Sequence, residues 1–203
     1  MPNMTNYKRE KPRWHRDQVE IYFPAHRIAQ IYDAASAWIK KKQESGMGEN
    51  VKKVTDKHSD FDIIRRGLLG EIAFEMKTGL PADIKAYKSG DKVKDFVSPT
   101  GVKIEVKTSR GFLIFNTPMA TDFLADVVVH FSCIPGDWER IWLQGWVTRK
   151  QFFERAEVRN FGHFDQLSVN PHLLNSPYTL DEIGLSPKPA PGPPVLIING
   201  RKI

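Results

Sequence analysis

The chain has one cysteine, Cys133, in 203 residues, which excludes a disulfide scaffold and a zinc site built on thiolates. Lying in the apolar run at 127–134, this thiol reads as a buried packing residue. No apolar segment approaches the roughly 18 residues of a membrane-spanning helix, and no signal-peptide pattern is present. The expectation is a soluble, intracellular, cytoplasmic protein with no membrane partner. Histidines are few: His15, His26, His58, His130, His163 and His172 show neither H-E-x-x-H nor a paired zinc spacing. There is no G-x-x-x-x-G-K-[ST] loop for a nucleotide-driven motor and no G-x-S-x-G elbow for a hydrolase triad.

Acidic residues are the scarcer charge, 24 against 30 Lys and Arg, giving a net charge of +6. The excess is clustered. Lys8, Arg9, Lys11, Arg13 and Arg16 form a basic N-terminal arm with Trp14 interleaved, and Lys40 to Lys42, Lys52-Lys53 and Arg65-Arg66 add patches. Such clusters contact nucleic-acid phosphates electrostatically; a solvated basic face at a terminus has the same composition.

The richest stretch is 92–109, KVKDFVSPTGVKIEVKTS. Val102, Ile104 and Val106 alternate with Lys103, Glu105 and Lys107, so Glu105 and Lys107 share one face of a strand. On the preceding run Val93, Asp95 and Val97 share a face. Pro99 suits the second position of a type I turn, and Gly101 can take the left-handed conformation after it. A three-residue loop of that kind sets Ser98 across from Val102, Asp95 across from Glu105 and Val93 across from Lys107. A two-residue loop would set Asp95 opposite Ile104 and split the carboxylates between faces. In the bulged register the two carboxylates lie about 5 Å apart and repel, a penalty that a divalent cation removes. Two carboxylates and a lysine are the parts needed to hold a divalent metal beside a phosphate. An ordinary solvated strand shows the same alternation, and E-x-K alone is a weak motif; Asp95 and an upstream glutamate strengthen it.

That glutamate is Glu71, in a helix expected over 60–78. Ser59 or Asp60 caps its start, and Gly79 with Pro81 ends it. Ile64, Leu68, Ile72 and Phe74 give an apolar surface with Arg65 and Arg66 beside it. Gly67 and Gly70 each cost up to about 1 kcal/mol of helix stability. Glycines tolerated there mark close approach to another backbone, here the sheet, which brings Glu71 within reach of the metal.

Together, Gly70-Glu71, Asp95-Phe96 and Ile104-Glu105-Val106-Lys107-Thr108-Ser109 resemble the PD-(D/E)xK nuclease superfamily, which includes restriction endonucleases, archaeal-type Holliday junction resolvases and many phage nucleases. The resemblance covers residues 60–150. It implies an α/β fold with a restriction endonuclease-like core, a central mixed β-sheet flanked by helices. It also implies that Asp95 and Glu105 bind Mg²⁺ (or Mn²⁺), that Glu71 assists metal or water binding, and that Lys107 positions or activates water and steadies the phosphate charge. The pattern departs from the family in having Lys94 where a proline precedes the acidic residue. Asp91 is a second candidate for the acidic position, but the spacing of Asp95 fits the hairpin. Lys103 and Arg110, flanking the motif, join Arg65, Arg66 and the arm as expected nucleic-acid contacts.

The length suits one α/β domain: a basic arm at 1–20, a single nuclease-like domain at 21–183, and a proline-rich extended tail at 184–203 ending in a short strand at 195–198, which should add to the sheet of its own or a second subunit. A first helix is expected at 24–42, a basic linker at 46–57, and the start of the sheet at 83–87. Central strands are expected at 112–116 and 126–134, another at 140–147, and a capped helix at 148–156. Trp138, Trp142 and Trp146 read as packing residues. The function expected is a Mg²⁺-dependent endonuclease on DNA, branched or structured DNA included, with RNA as a further possible partner and a homodimer for two-fold cutting. A phage or mobile-element origin fits the size. The alternatives are an inactive nuclease-fold binding module and a basic adaptor protein.

Overall fold

Helices, a five-stranded mixed sheet and a second, three-stranded sheet are stacked as three layers. The computed structural model describes residues 14–44, 60–85, 95–115, 123–161 and 165–185, and the backbone of 197–198 and 201–202. Lys8, Arg9, Lys11, Arg13, Lys52, Lys53 and Asp91, the linker at 46–57 and the proline-dense residues 186–194 lie outside the described residues.

In chain order, β1 (Val19–Tyr22) precedes α1 (Ala25–Glu44) and α2 (Asp60–Thr78). Then come β2 (Phe96–Val97), β3 (Lys103–Ser109), β4 (Leu113–Phe115), β5 (Val127–Ser132) and β6 (Arg140–Thr148). After α3 (Arg149–Arg155), β7 (Glu157–Asn160) and β8 (Asp165–Val169) form a hairpin, and two 3-10 turns follow, Pro171–Leu173 and Pro177–Ile183. The main sheet runs β1-β6-β5-β3-β2, with β3 and β5 parallel and the other pairs antiparallel. The α/β class with a mixed sheet is therefore as expected.

The two faces of this sheet have separate cores. Ile31 and Ala35 of α1 and Leu68, Leu69, Ile72 and Phe74 of α2 pack on Ile104, Val106, Val129 and Phe131. On the opposite face, Leu113 and Phe115 of β4, Val169 of β8 and Phe152 of α3 pack on Val128 and Val147. A strand covered on both faces reads as an unbroken apolar run, which is why 127–132 shows no alternation. At α3 the expected cap is a capping box: Thr148 Oγ1 accepts from Gln151 N (3.2 Å) and Gln151 Oε1 accepts from Thr148 N (3.0 Å).

Two expectations are corrected. The run at 112–116 contributes to the second sheet, ordered β4-β8-β7, rather than to the central one. Its direction is set where Ser109 Oγ donates to Phe112 O (2.7 Å), turning the chain off the end of β3. Residues 83–85 form no strand. The apolar run in the tail pairs with the tail itself, Ile198 against Arg201 and Ile197 against Lys202 (β9, Ile197–Ile198; β10, Arg201–Lys202). Packing was read correctly for Trp142, Trp146 and Cys133, all buried, and for Trp138, which packs partly buried against the helical core. The near end of the basic arm also packs: the rings of Trp14 and Trp142 lie 5.2 Å apart, and buried His15 donates its N–H to Gln144 Oε1 (2.8 Å).

The two helix glycines differ. A Cβ on Gly70 would stand 2.1 Å from Thr108 Oγ1 and 3.1 Å from Val106 Cγ1, whereas one on Gly67 would meet nothing within 4 Å. Gly70 thus seats α2 on β3. Both Gly→Ala changes gain helix propensity of up to about 1 kcal/mol, but overpacking at Gly70 costs about 1–3 kcal/mol. Urea unfolding should therefore show Gly67→Ala more stable than wild type and Gly70→Ala less stable. Equal shifts would dismiss the close seating of α2.

Candidate active site

The β2–β3 hairpin adopts the three-residue loop. Ser98 N donates to Val102 O (2.9 Å), Gly101 N donates to Ser98 O (2.9 Å), and Gly101 has φ +88°. Phe96 pairs with Ile104 and Val97 with Lys103, so continuing the register sets Asp95 across from Glu105. The turn is buttressed from the far end of the domain, where Gly184 lies so close that a Cβ would stand 2.4 Å from Thr100 Oγ1.

Asp95 brackets the backbone of Glu105. Its N–H donates to Ile104 O (3.1 Å), and its carboxylate Oδ2 accepts from Val106 N (2.7 Å). Glu105 and Lys107, two apart on β3, form an ion pair. Glu105 is mostly covered, its side chain 17 % exposed, while Lys107 reaches outward at 38 %. The Lys107 ammonium stands 5.4 Å from the centre of the Phe115 ring. Phe96 faces α2, its ring 4.7 Å from that of Phe74. Asp95, Glu105 and Lys107 therefore lie on the other face, toward β4.

Glu71 arrives from the opposite layer. It is half-buried on α2, directly after Gly70, and has interactions of its own. Among the described residues no three His, Cys, Asp or Glu side chains are grouped to hold a metal ion. The donor chemistry of Asp95 and Glu105 nevertheless suits a hard divalent cation. Mg²⁺ is commonly held by one or two carboxylates, with waters and substrate phosphate completing its shell.

The sequence did not single out His130 or Ser109. In the parallel ladder Lys107 pairs with His130 and Ser109 with Ser132. The Ser109 hydroxyl gives its proton to Phe112 O (2.7 Å), so its 2.9 Å contact with His130 Nε2 requires the imidazole to donate. His130 Nδ1 is then a lone pair, buried and without a hydrogen-bond partner. Ser109 follows Glu105 and Lys107 on the odd-numbered face, a signal the alternation contained; His130 is hidden in an apolar run.

Burial pushes the His130 pKa down to about 3, so the ring is neutral in the folded protein and titrates near 6.5 once unfolded. Between those values the unfolded chain binds the extra proton. The contribution is complete above pH 6.5 and is lost as pH falls toward 3, at about 1.4 kcal/mol per pH unit. Urea titrations from pH 7 to 4 should show a shallower pH slope for His130→Gln than for wild type. Parallel slopes would mean that His130 is not the group responsible.

The expected nucleic-acid contacts separate. Arg66 and Arg110 both act on Cys133 electrostatically: burial pushes its thiol pKa up, and both guanidiniums oppose that rise. Arg65 instead lies over the Trp138 ring at 4.0 Å, its Nε buried, and desolvation lowers its pKa. It is a packing residue in this structure. Lys103 and Arg16 are exposed, Arg16 with Asp17 at 3.7 Å.

No family model, curated protein or solved structure matches the chain.

Proposed function

We propose that this protein is a metal-dependent endonuclease that hydrolyses phosphodiester bonds in DNA, on a restriction endonuclease-like α/β core. The observation that carries the reading is Asp95 held against the Glu105 backbone, with Lys107 on the same face of β3. Asp95 and Glu105 would hold Mg²⁺ or Mn²⁺. The ion would supply Lewis-acid polarisation of a phosphoryl oxygen and a more acidic water. Lys107, freed from Glu105, offers a cationic donor to the charge that grows on phosphorus-bound oxygens. Arg110, just beyond the C-terminal end of β3, and Arg66 of α2 are suited to neighbouring phosphates. Glu71 is the third carboxylate of the reading. Because α2 covers the opposite face of β3, Glu71→Ala should lower activity less than Glu105→Ala.

This reading carries no membrane partner, and among the described residues no helix is long and apolar enough to cross a membrane. The deciding assay offers labelled linear duplex, single-stranded, flap and four-way-junction DNA with Mg²⁺, Mn²⁺ or EDTA. Metal-dependent cutting abolished by EDTA is the expected result. Salt-sensitive binding without cutting under either metal would replace the enzyme by an inactive nuclease-fold binding module.

A further inference from the structure

We infer that Phe161, Phe112 and Arg159 form a stacking ledge for an unpaired base of the DNA, so that the preferred substrate carries a single-stranded segment. The inference rests on the nuclease reading for DNA as the substrate class, and its test reads binding alone.

The ledge follows from alternation on β7. Residues 157, 159 and 161 fall on one side of an extended chain, and there the Arg159 guanidinium lies 4.6 Å from the centre of the Phe112 ring while the Phe161 ring lies 5.9 Å from it. Phe112 is the floor, only 6 % exposed; Phe161 is the outer ring, 43 % exposed. Arg159 is also tied to Glu157 at 2.7 Å, which holds its guanidinium in place. An exposed phenylalanine alone is unremarkable. Here it packs on the ring over which the Arg159 guanidinium lies, and that ring is two residues after exposed Arg110. Aromatic rings and guanidinium planes are the surfaces on which unstacked bases settle, and cationic neighbours favour a polyanion over an apolar peptide.

The floor of the ledge stands at the turn that leaves the motif strand. Ser109, two residues after Lys107, holds Phe112 O by a 2.7 Å hydrogen bond, and Lys107 Nζ stands 5.4 Å from the Phe115 ring. Ser168 is the strand partner of both Ile114 and Glu157, so Arg159 lies on the side of this sheet opposite Phe115. In an intact duplex no base face is free to settle there, which is why the ledge selects an unpaired strand.

The test measures binding by fluorescence anisotropy in EDTA, so that no cutting occurs, using the full chain with a labelled single strand, a flap and a blunt duplex. Phe161→Ala should weaken the single strand and flap about 10- to 100-fold and leave the blunt duplex within about twofold. Phe161→Tyr should restore binding, and an abasic single strand of the same length should reproduce the loss in wild type. Equal loss on all substrates, no loss on any, or no DNA binding by wild type would overturn the ledge. Selective loss in a protein that never cuts would keep the ledge and reject the nuclease; unaltered binding in a protein that cuts would do the reverse.

Discussion

Glu105→Gln is expected to lower metal-dependent DNA cleavage on the order of 10²- to 10³-fold, and Lys107→Met by a similar factor. Glutamine keeps the length and hydrogen-bonding capacity of glutamate but removes the charge that a divalent cation needs. Methionine keeps the stem that lies near Phe115 but removes the ammonium. Either change dissolves the Lys107–Glu105 ion pair, and a partly exposed pair contributes only about 0–1 kcal/mol. Melting temperatures should therefore fall by no more than about 4 °C. Lys107→Arg is not a rescue, since a planar fork presents its donors in a different geometry. Activity lost with the fold retained is the signature of the proposed site. Variants that cut at wild-type rates would remove Glu105 and Lys107 from the chemistry.

Asp95 requires a different substitution, because its carboxylate holds the Val106 N–H (2.7 Å). Asp95→Ala would lose that bond and the negative charge together, confounding structure with chemistry. Asp95→Asn keeps an oxygen acceptor for the amide while removing the charge. Loss of cleavage in the asparagine variant, with stability near wild type, would assign Asp95 to the metal.

The hairpin was legible in the sequence because the turn residues constrain it locally. Pro99 and Gly101 specify a three-residue loop, and period-two alternation then fixes which side chains share a face. What lies over that face is not local. The alternation places Glu105 with Lys107, yet nothing in 102–109 says that β4 covers them while α2 covers Ile104 and Val106. Leu113 to Phe115 is an apolar run equally suited to either sheet; the Ser109–Phe112 hydrogen bond decides between them. β7 was missed because its side chains are largely exposed and it is defined by backbone pairing with β8. His130 was missed for the opposite reason, being a polar residue concealed among valines.

Gly145→Ala should be among the most damaging single substitutions in the described fold, costing about 2–6 kcal/mol. Gly145 has φ +144° in β6, a conformation that strains any L side chain, and such strain costs about 1–3 kcal/mol. A Cβ there would also stand 2.1 Å from Asn175 O, a backbone atom that cannot rotate aside as a side chain can, which adds about 1–3 kcal/mol. The closeness has a purpose in the fold. β1 covers one edge of β6 from Arg140 to Leu143, and beyond it Asn175 takes over, donating its N–H to Trp146 O (2.8 Å) and accepting from Trp146 N (3.2 Å). Gly145 pairs on its other side with His130, at the point where the β5–β6 register shifts, and His130 pairs with Lys107. The melting temperature should fall by roughly 5–20 °C. Gly136→Ala is the control: its φ of +84° carries the strain, but a Cβ there meets nothing within 4 Å, so its loss should be about 1–2 kcal/mol. If the two variants melt together, the cost lies in backbone strain alone and the docking of Asn175 on β6 contributes little. If Gly145→Ala melts far lower, the link between the two 3-10 turns, docked through Asn175, is part of what holds the β3–β5–β6 ladder in register beneath the candidate site.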